Sequence, residues 1–435
     1  MKMSAFQAVL LGVFGLAALL GLFVFATYKG ANNPSEQIGS VSIWGTLPKD
    51  KVNQVLIATT QSNQALKGVT YTEKSPLTFE SDLKSAIAEG SGPDLLIITE
   101  ENLLSLSRVI QPISATEYPF SEFSSNFADG AEIFYAGDSS AALGVPFLID
   151  PLVLYVNRPA LSTEGLAEPP STWEGLTGLV PRFVTKTASG NISRGLIALG
   201  TYANIAHARA ILSALFLQAG APISNVSVYG IKSAALGTSA DQGVPPGQAV
   251  VRFYTQFADP AKISYTWNAS LPNSRTAFLS GDLALYIGFA SEAPYFREAN
   301  PNLEFSMAPL PQPKTASRKS TLGHFYSFVI PRGSQNPIGA YMTARALTTP
   351  AADQSAAIIL QMAPTLRQLL GARQNDPGAA TAYASALYAR GWLSPSASVT
   401  DSIFSSMINN VISGRANLES ALATAESALT TALQQ

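Results

Sequence analysis

Several runs in this chain lack the alternation that a half-wet strand needs. DLLIIT (94–99) and ALYIGF (284–289) are nearly all apolar, and GVPFLIDPLVLYVN (144–157) is longer still. A strand with one face in water alternates apolar and polar residues, so such runs must be covered on both faces. Between the first of them lie helical patterns. VSIWG (41–45) reads as an opening strand, 50–66 as a helix, VTYTE (69–73) as a second strand, and 79–90 as a helix ended by Gly90. Uniformly apolar strands separated by helices define an α/β chain built on parallel sheet. At 435 residues and 47% hydrophobic there is core for two domains, and two α/β lobes fit the order of elements better than one long sheet.

The longest run carries a break. Proline removes a ladder donor and restricts the residue before it, so Asp150-Pro151 is expected to end one strand pairing and start another. Further along, PPSTWEGL (169–176) is a proline turn leading into a helix, and 203–219 is helical. FYSFVIP (325–331) is a late strand, with helices near 337–348 and 352–362. Near the end, Leu418, Leu422, Ala425, Leu429 and Leu433 fall on one face of an amphipathic helix.

The N-terminus has a different character. From Ala8 to Ala26 every residue is apolar or glycine, and about 19 residues at 1.5 Å each cover the hydrocarbon core of a bilayer. Residues 1–28 therefore read as a retained anchor. The alternative is a signal cleaved after Ala26, and 29–39 form a polar tether in either case. Lys2 weakly favours an inside N-terminus, which puts the body on the extracytoplasmic face.

Composition excludes several functions. A net charge of −2 gives no general field for nucleic acid, and the absence of cysteine removes disulfides, thiolate metal sites and a cysteine nucleophile. No zinc-protease, phosphate-loop, nucleophile-elbow or dinucleotide pattern occurs, so neither enzyme activity nor a cofactor is expected. With only two histidines in the chain, His207 reads as structural within its helix. One decoy exists: Ser81-x-x-Lys84, Ser124-x-Asn126 and Lys186-Thr-Ala follow the order of penicillin-interacting serine enzymes, but the last lacks the glycine of K-T-G. Aromatic residues at strand ends are the better signal. Trp44, Phe147, Phe289, Phe325 and Tyr326 stand where doubly wound sheets bind ligands, although each is as readily ordinary core. Aromatic faces beside a few hydrogen-bonding groups suit sugars.

These pieces, in this order, resemble the extracellular solute-binding proteins of ABC importers, the group that includes maltose- and other sugar-binding proteins. VSIWGTL is similar to the family's opening strand, and GPDLLIITEENLLSLSRVIQPI to its P-D-strand-helix segment. GVPFLIDPLVLYVNRPAL resembles its "G-V-P…D…L-x-Y-N" passage, PPSTWEGL its "P-P-x-T-W-x-E-L", and AFLSGDLALYIGFASEAPYFREANPNLEFSMAPLP its "F-x-x-G-x-A-A-M…G" strand and "A-P-L-P" loop. The shared order runs over about 40–433.

The resemblance implies a type II periplasmic-binding-protein-like fold behind the N-terminal transmembrane helix. Lobe one would be 40–150 plus 292–330 and lobe two 151–291 plus 331–435, closing on a solute by a hinge at Asp150 and Pro151. It implies a carbohydrate ligand, an ABC permease as partner, and ligand contacts from Trp44, Gly45, Thr46, Glu100, Glu101 and Asp150. Asn191, Trp267, Phe289 and Tyr326 complete the expected set. A polyamine-binding protein of the same fold, using Glu100, Glu101 and Asp150 as counter-charges, is the alternative, and the membrane-anchored serine enzyme is a more distant one.

Overall fold

A computed structural model describes residues 15, 17, 18, 20, 38–227, 230–239 and 243–435. Nearly all of the anchor expected within 1–28 and of the 29–39 tether lies outside the described residues. Among those described, no helix is long and apolar enough to cross a membrane.

The strands Val41–Gly45, Val69–Glu73 and Leu95–Ile98 pair in parallel, with helices Lys49–Ser62 and Phe79–Ala88 as the crossovers. All four residues of Leu95–Ile98 are buried, as an unalternating apolar run requires. Val145–Asn157 is one uninterrupted strand of 13 residues, every one buried. The expected break at Asp150-Pro151 is therefore an exchange of partners within a continuous strand. Residues 145–151 pair with the return strand Thr321–Val329, while 152–157 pair with Leu283–Phe289 and Phe305–Pro309. Proline is tolerated there because the ladder changes partner at that point.

That exchange joins everything into a single sheet path. Its order is 69–73, 41–45, 95–98, 321–329, 145–157, 283–289, 192–197, 185–186, so one sheet, and not two separate ones, runs through both halves of the molecule. The apolar side chains nonetheless divide into two cores. One gathers residues from 38–149 with 325–389; the other gathers 152–310 with Leu322, Trp392 and 404–433. The expected lobe boundaries do not coincide with these cores. Ala293, Phe296 and Ala308 pack in the second core and Ala340, Ala357 and Tyr383 in the first, where helices 337–347 and 350–360 lie against the first sheet segment.

Helix Leu418–Leu433 has the expected inward face, with Leu422, Ala425, Leu429 and Leu433 buried. Asn417 caps it by accepting a hydrogen bond from Ser420 N at 2.8 Å. Helix Ala208–Gln218 is shorter than the 203–219 expectation. Residues 203–207 form an irregular approach to it that ends at His207 in the left-handed region, φ 59°.

Candidate functional site

The sheet path brings the carboxyl end of strand Leu95–Ile98, the middle of Val145–Asn157, the end of Leu283–Phe289 and the start of the return strand together where the two cores meet. Beyond Ile98 the chain turns through Glu100–Asn102, with Thr99 N donating to Asn102 Oδ1 at 3.3 Å. Glu100, 1% exposed, accepts a hydrogen bond from Phe325 N at 2.8 Å and lies 3.1 Å from His324 Nδ1. Glycine at 391 leaves room for it, since a Cβ there would stand 2.8 Å from Glu100 Cγ.

Glu101 reaches across to the other lobe. Both its oxygens accept hydrogen bonds from Arg209, one of them from Nη2 at 3.2 Å. Burial opposes ionisation of Glu101, but the charges of His324 and Arg209 outweigh it and hold the carboxyl below its usual range. Burial likewise pulls the His324 imidazole down, yet Glu101 and Glu100 together raise it to about 9, so it is cationic at neutral pH and Nδ1 donates to Glu100.

A second cluster centres on Glu292. It accepts from Phe289 N and Tyr286 OH, both at 2.9 Å, and pairs with Arg275 Nη2 at 2.9 Å and His207 Nε2 at 2.8 Å. The left-handed backbone at His207, a conformation that costs about 1–2 kcal/mol for a non-glycine residue, presents its ring to this carboxylate. Phe289 sits between the two histidines. Its ring stacks on His324 at 4.5 Å and meets His207 edge-on at 5.0 Å.

Asp150 lies opposite His324 in the antiparallel register and is 3% exposed. Its carboxylate accepts from Ser291 N at 3.0 Å and Ser291 Oγ at 2.5 Å. Burial raises its pKa to about 6 against the pull of those bonds.

Tyr202, His207, Arg209, Phe289, His324 and Asp401 line a cavity of about 450 Å³ at this junction. Within it Tyr202 OH donates to Asp401 Oδ1 at 2.7 Å. A larger cavity of about 1010 Å³, beside Trp173 and Phe253, draws nearly all its lining from one core and the 313–320 loop.

The expected residues divide into three groups. Phe289 lines the junction cavity, while Glu100, Glu101 and Asp150 stand behind it, each already bonded to protein groups; Tyr326 is half-buried, two residues along the return strand from His324. Trp44, Gly45 and Thr46 are not among the cavity's lining residues. Trp44 lies under Lys74, whose Nζ is 3.6 Å from the ring centroid, and a Cβ at Gly45 would stand 3.0 Å from Ile97 Cβ, tighter than ordinary side-chain contact. Asn191 is exposed and bonded within its own turn to Thr187 and Ser189, and Trp267 is 1% exposed in the second core. Neither of these last two is brought to the junction cavity.

Sequence reasoning missed Tyr202, Arg209 and Asp401, passed over His324, and read His207 as a helical residue. The usable signal was scarcity: both histidines of the chain meet at one cavity. The serine-enzyme arrangement does not form. Ser81 Oγ donates to Thr78 O at 2.8 Å, and Lys84 pairs with Glu80.

The chain belongs to the bacterial extracellular solute-binding protein family, which it matches over residues 60–381. It is thus a binding protein and not an enzyme, of a family that acts outside the cytoplasm. No curated protein sequence matches it. Among solved structures it shares its fold with a cyclo/maltodextrin-binding protein complexed with maltotetraose, at TM-score 0.72 and 16% identity over 94% of this chain and 99% of that one. The cyclic alpha-maltosyl-1,6-maltose binding protein of Arthrobacter globiformis gives 0.73 and 15% over 91% and 99%. An ABC transporter solute-binding protein of Thermotoga lettingae bound with alpha-D-tagatose gives 0.68 and 17% over 91% and 100%. The chain thus has the two-lobed α/β fold of periplasmic binding proteins, as the resemblance implied.

Proposed function

We propose that this protein binds a carbohydrate between its two lobes and delivers it to an ABC permease, tethered to the membrane by its N-terminal apolar run. The lobes are the two cores, and the hinge is the pair of crossing strands at Asp150-Pro151 and its neighbours. One observation carries the choice of ligand. The junction cavity is lined by the rings of Phe289 and Tyr202 beside polar heads already bonded within the protein: Arg209 with Glu101, His324 with Glu100, His207 with Glu292 and Asp401 with Tyr202. A neutral polyhydroxylated ligand stacks on such rings and trades hydrogen bonds with such heads without leaving a buried charge unpaired. The polyamine alternative needs free carboxylates; Glu100, Glu101 and Asp150 are each engaged, and Asp401, the carboxylate lining the cavity, accepts from Tyr202 OH. Trp44 and Thr46, half-buried at the end of the first strand, and Tyr326, half-buried within the return strand, would meet a ligand only beyond the cavity's present lining.

Thermal-shift screening followed by calorimetry tests this. Saccharides are expected to raise the melting temperature by the mass-action stabilisation of a ligand that binds only the folded state, with spermidine silent. A spermidine response without any saccharide response would reverse the assignment.

A further inference from the structure

A second cavity of about 940 Å³ also spans the lobes. Leu104, Ser105 and Arg108 line it from the first, and Ile231, Val399 and Leu433 from the second. One ion pair ties together residues near both cavities. Arg209 lines the inner chamber, whereas the residues just after its partner Glu101, Leu104 and Ser105, line the outer one. Helix Ala397–Ile412 repeats the pattern, giving Val399 to the outer chamber and Asp401 and Ser405 to the inner.

We infer that the Glu101–Arg209 bridge partitions the cleft and sets the length of ligand it accepts. The inference rests on the carbohydrate reading above and adds size selection to it. The bridge is well suited to the task. It joins opposite lobes 108 residues apart in sequence, the guanidinium fork engages both carboxylate oxygens, and the side chains are only 20% and 15% exposed. With the bridge in place a ligand is confined to the inner chamber, near the lower end of the roughly 300–1,000 Å³ range of small-molecule sites. A longer chain would have to enter the outer chamber by separating two buried charges, and an uncompensated buried charge is costly. The pair therefore discriminates against length by opposing the longer ligand, not by favouring the shorter one.

The test compares the full chain with Glu101→Gln/Arg209→Gln, using neutral gluco-, galacto- and manno-saccharides from one to four rings. The parent is expected to bind mono- or disaccharides more tightly than the tetrasaccharide, and the double variant to narrow that ratio by about tenfold or more. Glu101→Gln alone, nearly isosteric, serves if the double variant does not fold. A parent that binds the tetrasaccharide at least as tightly as the shorter sugars overturns the partition and leaves the carbohydrate reading standing. Silence toward every saccharide overturns both. Because the chain has no cysteine, spin labels at Lys84→Cys and Ile231→Cys report the width of the outer chamber without any ligand. The double variant is expected to lengthen or broaden that distance, and an unchanged distribution overturns the bridge as an interlobe tie.

Discussion

At the scale of single residues, the junction is governed by two titrations in which the folded state holds its proton more tightly than the unfolded chain. His324 is held above its ordinary value, to about 9, so the native state binds its proton more tightly than the unfolded chain does. Its stabilisation is fully present below about pH 6.5 and is lost as pH rises through about 9. His324→Gln should remove that slope from the dependence of urea unfolding on pH. It should also cost roughly 3–5 kcal/mol near neutrality by leaving Glu100 buried without its cation. Asp150 has the same slope in a more acidic window. Its carboxyl is raised to about 6, so ionising it inside the fold is unfavourable, and its contribution falls as pH rises from about 4 to 6. Asp150→Asn can keep a partner for both Ser291 contacts while removing that charge, and is expected to stabilise the protein by ~1–3 kcal/mol at pH 7.5 with little gain at pH 4. A variant equally or less stable at pH 7.5 would show that the carboxylate is better satisfied than its surroundings imply. Neither residue's behaviour was legible in sequence. Asp150 could be seen as a carboxylate in an apolar run, but Ser291 lies 141 positions away.

At the scale of elements, pattern and structure agree where local physics decides. Runs without alternation became strands buried on both faces, and the apolar stripe of 418–433 faces the second core. That helix also has a tertiary duty the stripe did not announce. Glu426, on its polar side, accepts hydrogen bonds from Leu236 N and Thr238 Oγ1, both at 2.8 Å, and so fastens the 232–238 segment. Asn417→Ala should cost about 1 kcal/mol through the lost cap, and Leu422→Ala about 2–5 kcal/mol through the cavity it leaves. Chemical denaturation of the two single variants checks both, and equal losses would argue against this division between cap and core. The 203–219 stretch shows where the helical pattern misleads. Its composition suits a helix throughout, but the left-handed His207 delays the helix to Ala208 and turns the ring toward Glu292.

For the whole molecule, the crossing strands are the decisive arrangement. Residues 145–157 and 321–329 belong to both halves of one sheet, so the proposed closure of one lobe on the other would be absorbed where the pairing partners change, at Asp150-Pro151. Addition of a bound saccharide is therefore expected to reduce the radius of gyration measured by solution scattering, and a radius unchanged at saturation would mean that the lobes do not close on ligand. The sequence by itself determined the α/β class, the buried strands, the position of the break and, through the order of its segments, the solute-binding fold. All of these follow from local periodicity or from patterns carried along the chain. Tertiary structure alone decided that the break is an exchange of partners, that helices 337–347 and 350–360 return to the first core, and that Glu101 meets Arg209 while both histidines meet around Phe289. Those contacts join residues tens to hundreds of positions apart, and no local preference of either partner encodes which distant charge or ring it will face.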